Sequence, residues 1–418
     1  MEENQKGTPT LMINPSLVQD LLTKDLEQVI SSLSADSSDW KALSFLKKAL
    51  DSHVSDIHIE PHSAQRFLLR RRIDGYLHDM GREDSFLDQN AVLILKQLSK
   101  LSPAAAQVPQ QGLFYVQNHS RSVRVEFSTL PLVSGEKMVI RFIPGKLDAF
   151  NLRMLGLTQE QSLMIEEKIQ KPYGMIFVTG PAQSGVTSTV YSILKRRMSP
   201  KVNILTIEDP VEQVIHGINQ VQVCADIGLT CAAGLRAFLR QDPDVIYSGA
   251  EHDEETLGIC IRAALTGRLI ISCLHAWDAP SALARILELG GQIPHLLAES
   301  LNLIVNQRLI RRLCVNCKQP HELDDSGRRD FGISAPVIYR ANPGGCESCR
   351  GMGYRGQTGI FDVLFVDDNI CSAIRMRVDG AEIKKMVEFQ PRLTLYQAGM
   401  GKVNEGVTSI EEVLRVQF

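Results

Sequence analysis

Four cysteines stand in two pairs of identical spacing, Cys314-Val-Asn-Cys317 and Cys346-Glu-Ser-Cys349, with 28 residues between the pairs. Each Cys-x-x-Cys turn presents two thiolates from one tight loop, and two such turns close a tetrahedral site of the kind zinc takes. Gly344, Gly345, Gly351 and Gly353 supply the sharp backbone needed around the second pair. All four ligands would come from protein, so the expected Zn2+ is structural and not catalytic. The competing reading is two redox dithiols or unpaired thiols. Cys224, Cys231, Cys260, Cys273 and Cys371 fall in apolar or mixed segments and read as small core residues. An odd total of nine, with four grouped this way, points to a reduced compartment and a metal site, not a disulfide framework.

A second constellation is the run GPAQSGVTST, residues 180–189. Gly180-x4-Gly185-Val186-Thr187 fits GxxxxGK[ST] everywhere except the lysine. In that motif, backbone N–H groups and a helix N-terminus cradle phosphates, the lysine reaches the β/γ oxygens, and Ser/Thr holds magnesium. Ser184, Thr187 and Ser188 are present, but Val186 occupies the place of the charge. Without it, a glycine-rich strand-to-helix turn of this kind is more often a structural turn. Glu208 and Asp209, in TIEDPVE, follow an apolar strand at its carboxyl end, where α/β ligand sites lie. They also suit a cap or a solvated loop. His275 likewise ends a strand, and a lone histidine is often a hydrogen-bonded structural residue. Arg70 and Arg72 lie in RRRIDGYL, which alone would be a solvated charged strand.

These residues need elements to hold them. Residues 1–37 read as a polar leader with one short helical pattern at Leu17, Val18, Leu21 and Leu22. Residues 38–145 form an α+β unit: an amphipathic helix in WKALSFLKKALDS, then SDIHIEP and RFLLRRRIDGYLHDM as two strands turning near Pro61–Ala64. A helix over 90–101 and the strand runs SVRVEF and KMVIRFI complete it. A hinge is expected over 146–157, around Gly145 to Asn151. The unit 158–312 opens with a helix capped by Thr158. Four short apolar strands follow, at 174–180, 202–209, 244–249 and 268–274, with helix-length segments between them. That alternation predicts an α/β fold with a largely parallel, doubly covered sheet. The cysteine module spans 313–360 and a helical region 361–418.

From about residue 50 onward the chain resembles the type II secretion and type IV pilus-assembly ATPase family. The residues that carry the resemblance are SDIHIEP, RIDGYLH, STLP with GEK, TIEDPVE, GINQVQV, LRQDPD, the LH-x-x-DA run and the paired CxxC. The resemblance implies a PAS-like N-terminal domain before a RecA-like P-loop core and a tetracysteine zinc insert. It implies a hexameric motor in the cytoplasm, peripheral at the inner membrane through partners, with ATP and Mg2+ as ligands. It places nucleotide contacts at residues 180–187 and at Arg70, Arg72 and Arg141, and catalytic positions at Glu208, Asp209, Glu212 and His275. The pilus-retraction branch is disfavoured, because its members lack the cysteine insert.

The departures from this pattern concentrate where the chemistry belongs. Val186 replaces the lysine, Gln183 a loop glycine, Ala250 the glutamate after Gly249, and His252 an arginine. Glu251 is one residue along and turns to the opposite side of an extended segment. Gln111 and Leu113 stand where a carboxylate and a cation are usual, and Glu126 where an arginine is usual. Losing both the cation and the water-positioning carboxylate predicts a weak or inactive ATPase. Such a subunit would be a scaffold or regulatory partner, as a homo-hexamer or in a hetero-oligomer with an intact paralogue, docked on an inner-membrane platform protein. The alternative is an active motor that uses another cation, with Glu251 or Glu208 as the water-positioner. Lys+Arg total 45 and Asp+Glu 48, for a net charge of −3, so no nucleic-acid partner is expected. No apolar run reaches the ~20 residues of a membrane span.

Overall fold

The computed structural model describes residues 15–417 except 36, 53, 64–65, 80–86, 104, 120, 145–150, 251–252, 291–292 and 379. The chain forms two compact units, Met1–Lys146 and Leu147–Phe418. Residues 146–150 of the expected hinge, together with Glu251 and His252, lie outside the described residues.

The first unit is built on six antiparallel strands: β1 (Asp56–Ser63), β2 (Arg66–Ile73), β3 (Tyr76–Asp79), β4 (Gln110–Asn118), β5 (Arg121–Leu132) and β6 (Gly135–Pro144), in the order β3-β2-β1-β6-β5-β4. The segment read as one strand over RFLLRRRIDGYLHDM is broken into β2 and β3. Asp74 and Gly75 both take positive φ, 48° and 86°, the two-residue turn that Asp-Gly favours in hairpins. One face alternates Ile57, Ile59, Val125, Phe127, Met138 and Ile140, all buried, as a half-buried strand must. Ahead of this sheet, the residues read as a polar leader supply two helices, Pro15–Thr23 and Leu26–Ser31, which bury Leu17, Leu21, Leu26 and Val29.

The second unit carries seven strands: β7 (Gly174–Thr179), β8 (Ile204–Glu208), β9 (Asn219–Gln222), β10 (Val245–Ser248), β11 (Leu269–Leu274), β12 (Leu301–Leu313) and, after the two-stranded β13 (Gln319–His321) and β14 (Ile338–Arg340), β15 (Tyr354–Phe365). Their order is β15-β12-β7-β11-β10-β8-β9. Every pairing is parallel except β12 with β15. The expected parallel α/β sheet is present, extended by an antiparallel hairpin that the four apolar runs did not announce.

Helices cover both faces. Gln159–Gln170 and Val186–Arg197 pack on one side with Ile165, Ile169, Val190 and Leu194. Cys231–Phe238, Glu254–Leu265, Ala279–Gly290 and Pro294–Ser300 pack on the other. Thr158 caps the first of these helices in a reciprocal box with Gln161. Among the described residues, no helix is long and apolar enough to cross a membrane.

Candidate functional site: a phosphate loop without its lysine, and a tetracysteine cluster

The loop Gly180–Gly185 joins the fully buried β7 to the helix Val186–Arg197. Two residues give it its turn. Gly185, at the N-cap, has φ 85°, and Gln183 has φ 65°. The second value is the left-handed conformation expected to be costly for a side chain, about 1–2 kcal/mol. The helix therefore opens with its amides free of any capping side chain, the arrangement that attracts anions.

Around the loop stand the acidic residues and the histidine. His275 Nδ1 lies 3.1 Å from the carbonyl of Gly180, and the Thr187 hydroxyl donates to Glu212 at 2.8 Å. Glu208 ends β8 and is only 3% exposed. It accepts from Thr206 Oγ1 at 2.6 Å, from Gln220 Nε2 at 3.1 Å and from the Tyr191 hydroxyl at 2.5 Å. Burial, then the Glu208 charge, pushes the Tyr191 phenol well above its ordinary range, so it stays protonated as a donor. Asp209, the next residue, is exposed. Ala250 follows β10 and is 8% exposed within an apolar cluster that includes Cys231, Leu257 and Cys260.

Arg70, Arg72 and Arg141 belong to the first unit. They lie on β2 and β6, the two strands that flank β1, whose Asp56 is in register with both Arg72 and Arg141. Arg141 Nε meets Asp56 at 2.8 Å, Arg72 Nε lies 3.9 Å from the same carboxylate, and Arg70 bonds Glu60 at 2.6 Å. Glu126 lies across from Arg141 and bonds Arg124.

Sequence reasoning missed one group. Asn306, Gln307 and Arg308 are three consecutive polar residues between the apolar runs Leu303–Val305 and Leu309–Ile310 of β12, and all are buried. Asn306 Nδ2 donates to Thr179 Oγ1 at 2.9 Å and to the Ala276 carbonyl at 3.2 Å, while Gln307 Nε2 donates to the Ser184 carbonyl at 2.8 Å. The available signal was three polar residues interrupting LNLIV…LI.

The four paired cysteines converge. Sγ separations are 3.7 Å for Cys314–Cys346, 3.7 Å for Cys317–Cys349 and 3.8 Å for Cys346–Cys349, and all four atoms lie within 4.8 Å of one another. Zn–S bonds of about 2.3 Å in a tetrahedron require S···S near ~3.8 Å, so the donor set fits that ion. Burial alone would raise the Cys349 thiol. Backbone N–H groups of Cys346 and Gly353, with the adjoining thiols, bring it down to about 6. Burial and the neighbouring thiols push Cys317 the opposite way, so of this pair only Cys349 is held towards the thiolate that metal binding needs.

Residues 41–415 match the family model described as Type II/IV secretion system protein. The chain is 40% identical over 372 residues to a type II secretion system protein E of Dickeya dadantii, covering 89% of this chain and 74% of that protein. It is 39% identical over 395 residues to the type IV pilus assembly ATPase PilB of Thermus thermophilus, covering 93% of this chain and 44% of that protein. Among solved structures, the ATPase DotB of Legionella pneumophila superposes with a TM-score of 0.67 at 18% identity, over 93% of this chain and 98% of that one. The pilus retraction motor PilT with bound ADP does so at 0.60 and 22%, over 89% and 96%. The likeness to these two structures shows a shared fold.

Proposed function

The chain belongs to the Type II/IV secretion system protein family, and from that premise we propose that it is a subunit of a type II secretion or type IV pilus-assembly machine that hydrolyses ATP weakly or not at all. Its role is that of a scaffold or regulatory partner, in a hexamer or in a ring mixed with an intact paralogue. It works in the cytoplasm, held at the inner membrane by a platform protein. The first unit takes the PAS-like role and the second the RecA-like one. Cys314, Cys317, Cys346 and Cys349 hold a structural zinc.

The observation that carries this reading is the chemistry missing from an otherwise complete loop. ATP brings about four negative charges, and one ion pair at contact distance is worth on the order of 4 kcal/mol at an effective dielectric near 20. Val186 supplies none of it. The position after Gly249 belongs to Ala250, whose methyl is packed among apolar side chains, so no carboxylate there orients water. Glu208 is already engaged by three donors. Phosphoryl transfer depends on positioning and charge stabilisation, and each such group is typically worth ~10²–10³ in rate. Glu208, Asp209 and His275 are then vestiges of a catalytic set. Gly180, Ser184, Gly185, Val186, Thr187 and Ser188 are the residues left to contact nucleotide; the part expected of Arg70, Arg72 and Arg141, which are held by Glu60 and Asp56 within the first unit, rests on the family resemblance.

One observation favours the competing reading of an active motor: the left-handed turn, the open helix N-terminus and Thr187 are all retained. Steady-state ATP turnover of the natural chain beside a Val186→Lys/Ala250→Glu variant separates the two. The proposal expects the variant to be at least ~100-fold faster. Equal rates would overturn it.

A further inference from the structure

A central strand packed between β7 and β15 has no ordinary reason to carry Asn, Gln and Arg side by side. Buried polar side chains destabilise unless each finds partners. Here the partners outside β12 lie at the end of β7, on the phosphate loop that follows it, or on the 275–278 loop after β11. Asn306 bonds Thr179 Oγ1 and the Ala276 carbonyl. Arg308, its charge disfavoured by burial, donates to the carbonyls of Gln307 and Trp277. Gln307, 1% exposed, reaches the Ser184 carbonyl. β12 is thus a polar strut tying together the two loops that flank the candidate site.

The Gln307 bond has a directional consequence. A trans peptide is planar, with its C=O and N–H pointing opposite ways. Holding the Ser184 carbonyl toward β12 therefore aims the Gly185 N–H away from β12, out of the loop. That is the orientation an anion-binding amide nest requires. Two buried atoms at the same place lack hydrogen-bond partners: Ser184 Oγ, in a residue only 4% exposed, and Gln307 Oε1. A Cβ at Gly180 would lie 2.4 Å from Ser184 Oγ and 2.8 Å from the Gln307 carbonyl, so the strut presses directly on the loop.

We propose that Gln307 is the positioning residue that presets the phosphate loop for an anionic ligand, with Asn306 and Arg308 fixing the adjoining loop. The inference rests on the reading of residues 180–188 as a nucleotide-contacting segment. In a loop with no lysine, the loop's own hold on phosphate comes from oriented amides and hydroxyls, so the residue that orients the amides carries more of it.

The test uses the full chain and two variants. Gln307→Met keeps length and volume but removes the donor; Gln307→Glu keeps the shape and, when ionised, sets a carboxylate against the Ser184 carbonyl. Amide exchange over residues 182–187 is followed without ligand, and ATPγS with magnesium is titrated by calorimetry. Gln307→Met is expected to speed exchange in that segment and weaken ATPγS about tenfold, the size of one hydrogen bond, with the thermal midpoint recorded as a folding control. Gln307→Glu is expected to bind worse than Gln307→Met at pH 8. It should recover towards the natural chain near pH 5, where a protonated carboxyl again donates. Unchanged exchange in Gln307→Met overturns the proposal, as does the absence of acid recovery in a folded Gln307→Glu. Failure of the natural chain to bind ATPγS would instead remove the nucleotide reading, and exchange alone would then decide the role of Gln307.

Discussion

The phosphate loop packs against the middle of β12, at Gln307, the tetracysteine module follows the C-terminal end of the same strand, and the two keep different things. The module has its whole donor set: four thiols at tetrahedral spacing, with amides of Cys346 and Gly353 directed at Cys349 Sγ. The loop keeps its backbone path and helix N-terminus but has exchanged the charged side chain for Val186 and the carboxylate for Ala250. Backbone shape at the loop is maintained by glycine, by packing and by the β12 strut, none of which needs ATP turnover. In the module, shape and chemistry would be the same atoms, because under the proposed zinc reading the thiols that take the metal also hold the turns together. A family member can therefore lose catalysis and keep its fold, but it cannot lose a cysteine so cheaply.

That contrast is most easily broken at the module. Cys314 is buried, and its amide donates to the Gly353 carbonyl while the neighbouring Leu313 amide donates to the Val407 carbonyl. Cys314→Ser is expected to abolish zinc retention in metal analysis and to cost more than ~4 kcal/mol of stability, a size reserved for lost metal or core integrity. Zinc content equal to that of the natural chain would remove the structural-zinc reading. Val186→Lys, by comparison, is expected to leave the thermal midpoint nearly unchanged.

Two buried glutamates sharpen the comparison. On the module side, Glu412 accepts from Arg311 and Arg415, with bonds of 2.7–3.0 Å. Burial would raise its carboxyl, but the two arginines outweigh it and hold the group below its ordinary value. The unfolded chain then binds the proton more readily, so the stabilisation is present above the ordinary glutamate range and lost as pH falls through the folded value. Glu412→Gln is expected to cost about 3 kcal/mol at neutral pH and to flatten the acid limb of a thermal-midpoint against pH curve. An unaltered acid limb would count against the pair. On the loop side, Glu208 has only neutral donors. Tyr191→Phe removes one of three and should cost ~1–3 kcal/mol, measured by urea unfolding.

Much of this was legible in the sequence. The loop, the cysteine pairs and the strands at 174–180, 202–209, 244–249 and 268–274 announce themselves by composition and spacing, because glycine turns and continuous apolar runs are local signals. β12 was not legible. Its side chains alternate between faces that are both buried, and its polar residues are explained only by loops more than a hundred residues earlier in the chain, Thr179 and Ser184, and by Ala276. The hairpin at Asp74–Gly75 is readable from its Asp-Gly pair, although the apolar residues on either side, Leu68, Leu69, Ile73, Tyr76 and Leu77, make RFLLRRRIDGYLHDM look continuous. The helix Leu26–Ser31 hides in polar surroundings. Its burial of Leu26 and Val29 depends on the sheet edge at β4, where Asp25 forms a bridge to Gln117.

The smallest expected effect tests whether the loop's shape is kept against its own side chains. Gln183 holds φ 65°, where a side chain costs about 1–2 kcal/mol and glycine nothing. Replacing it with glycine relieves that strain but frees the unfolded chain, which offsets part of the gain. Gln183→Gly is therefore expected to raise stability by less than ~1 kcal/mol. Gln183→Ala keeps the strain and should show no gain. If glycine instead destabilises, the Gln183 side chain must be contributing something of its own to the loop, and the contrast with the module would narrow: both sites would then be held by the side chains present, not by backbone shape alone.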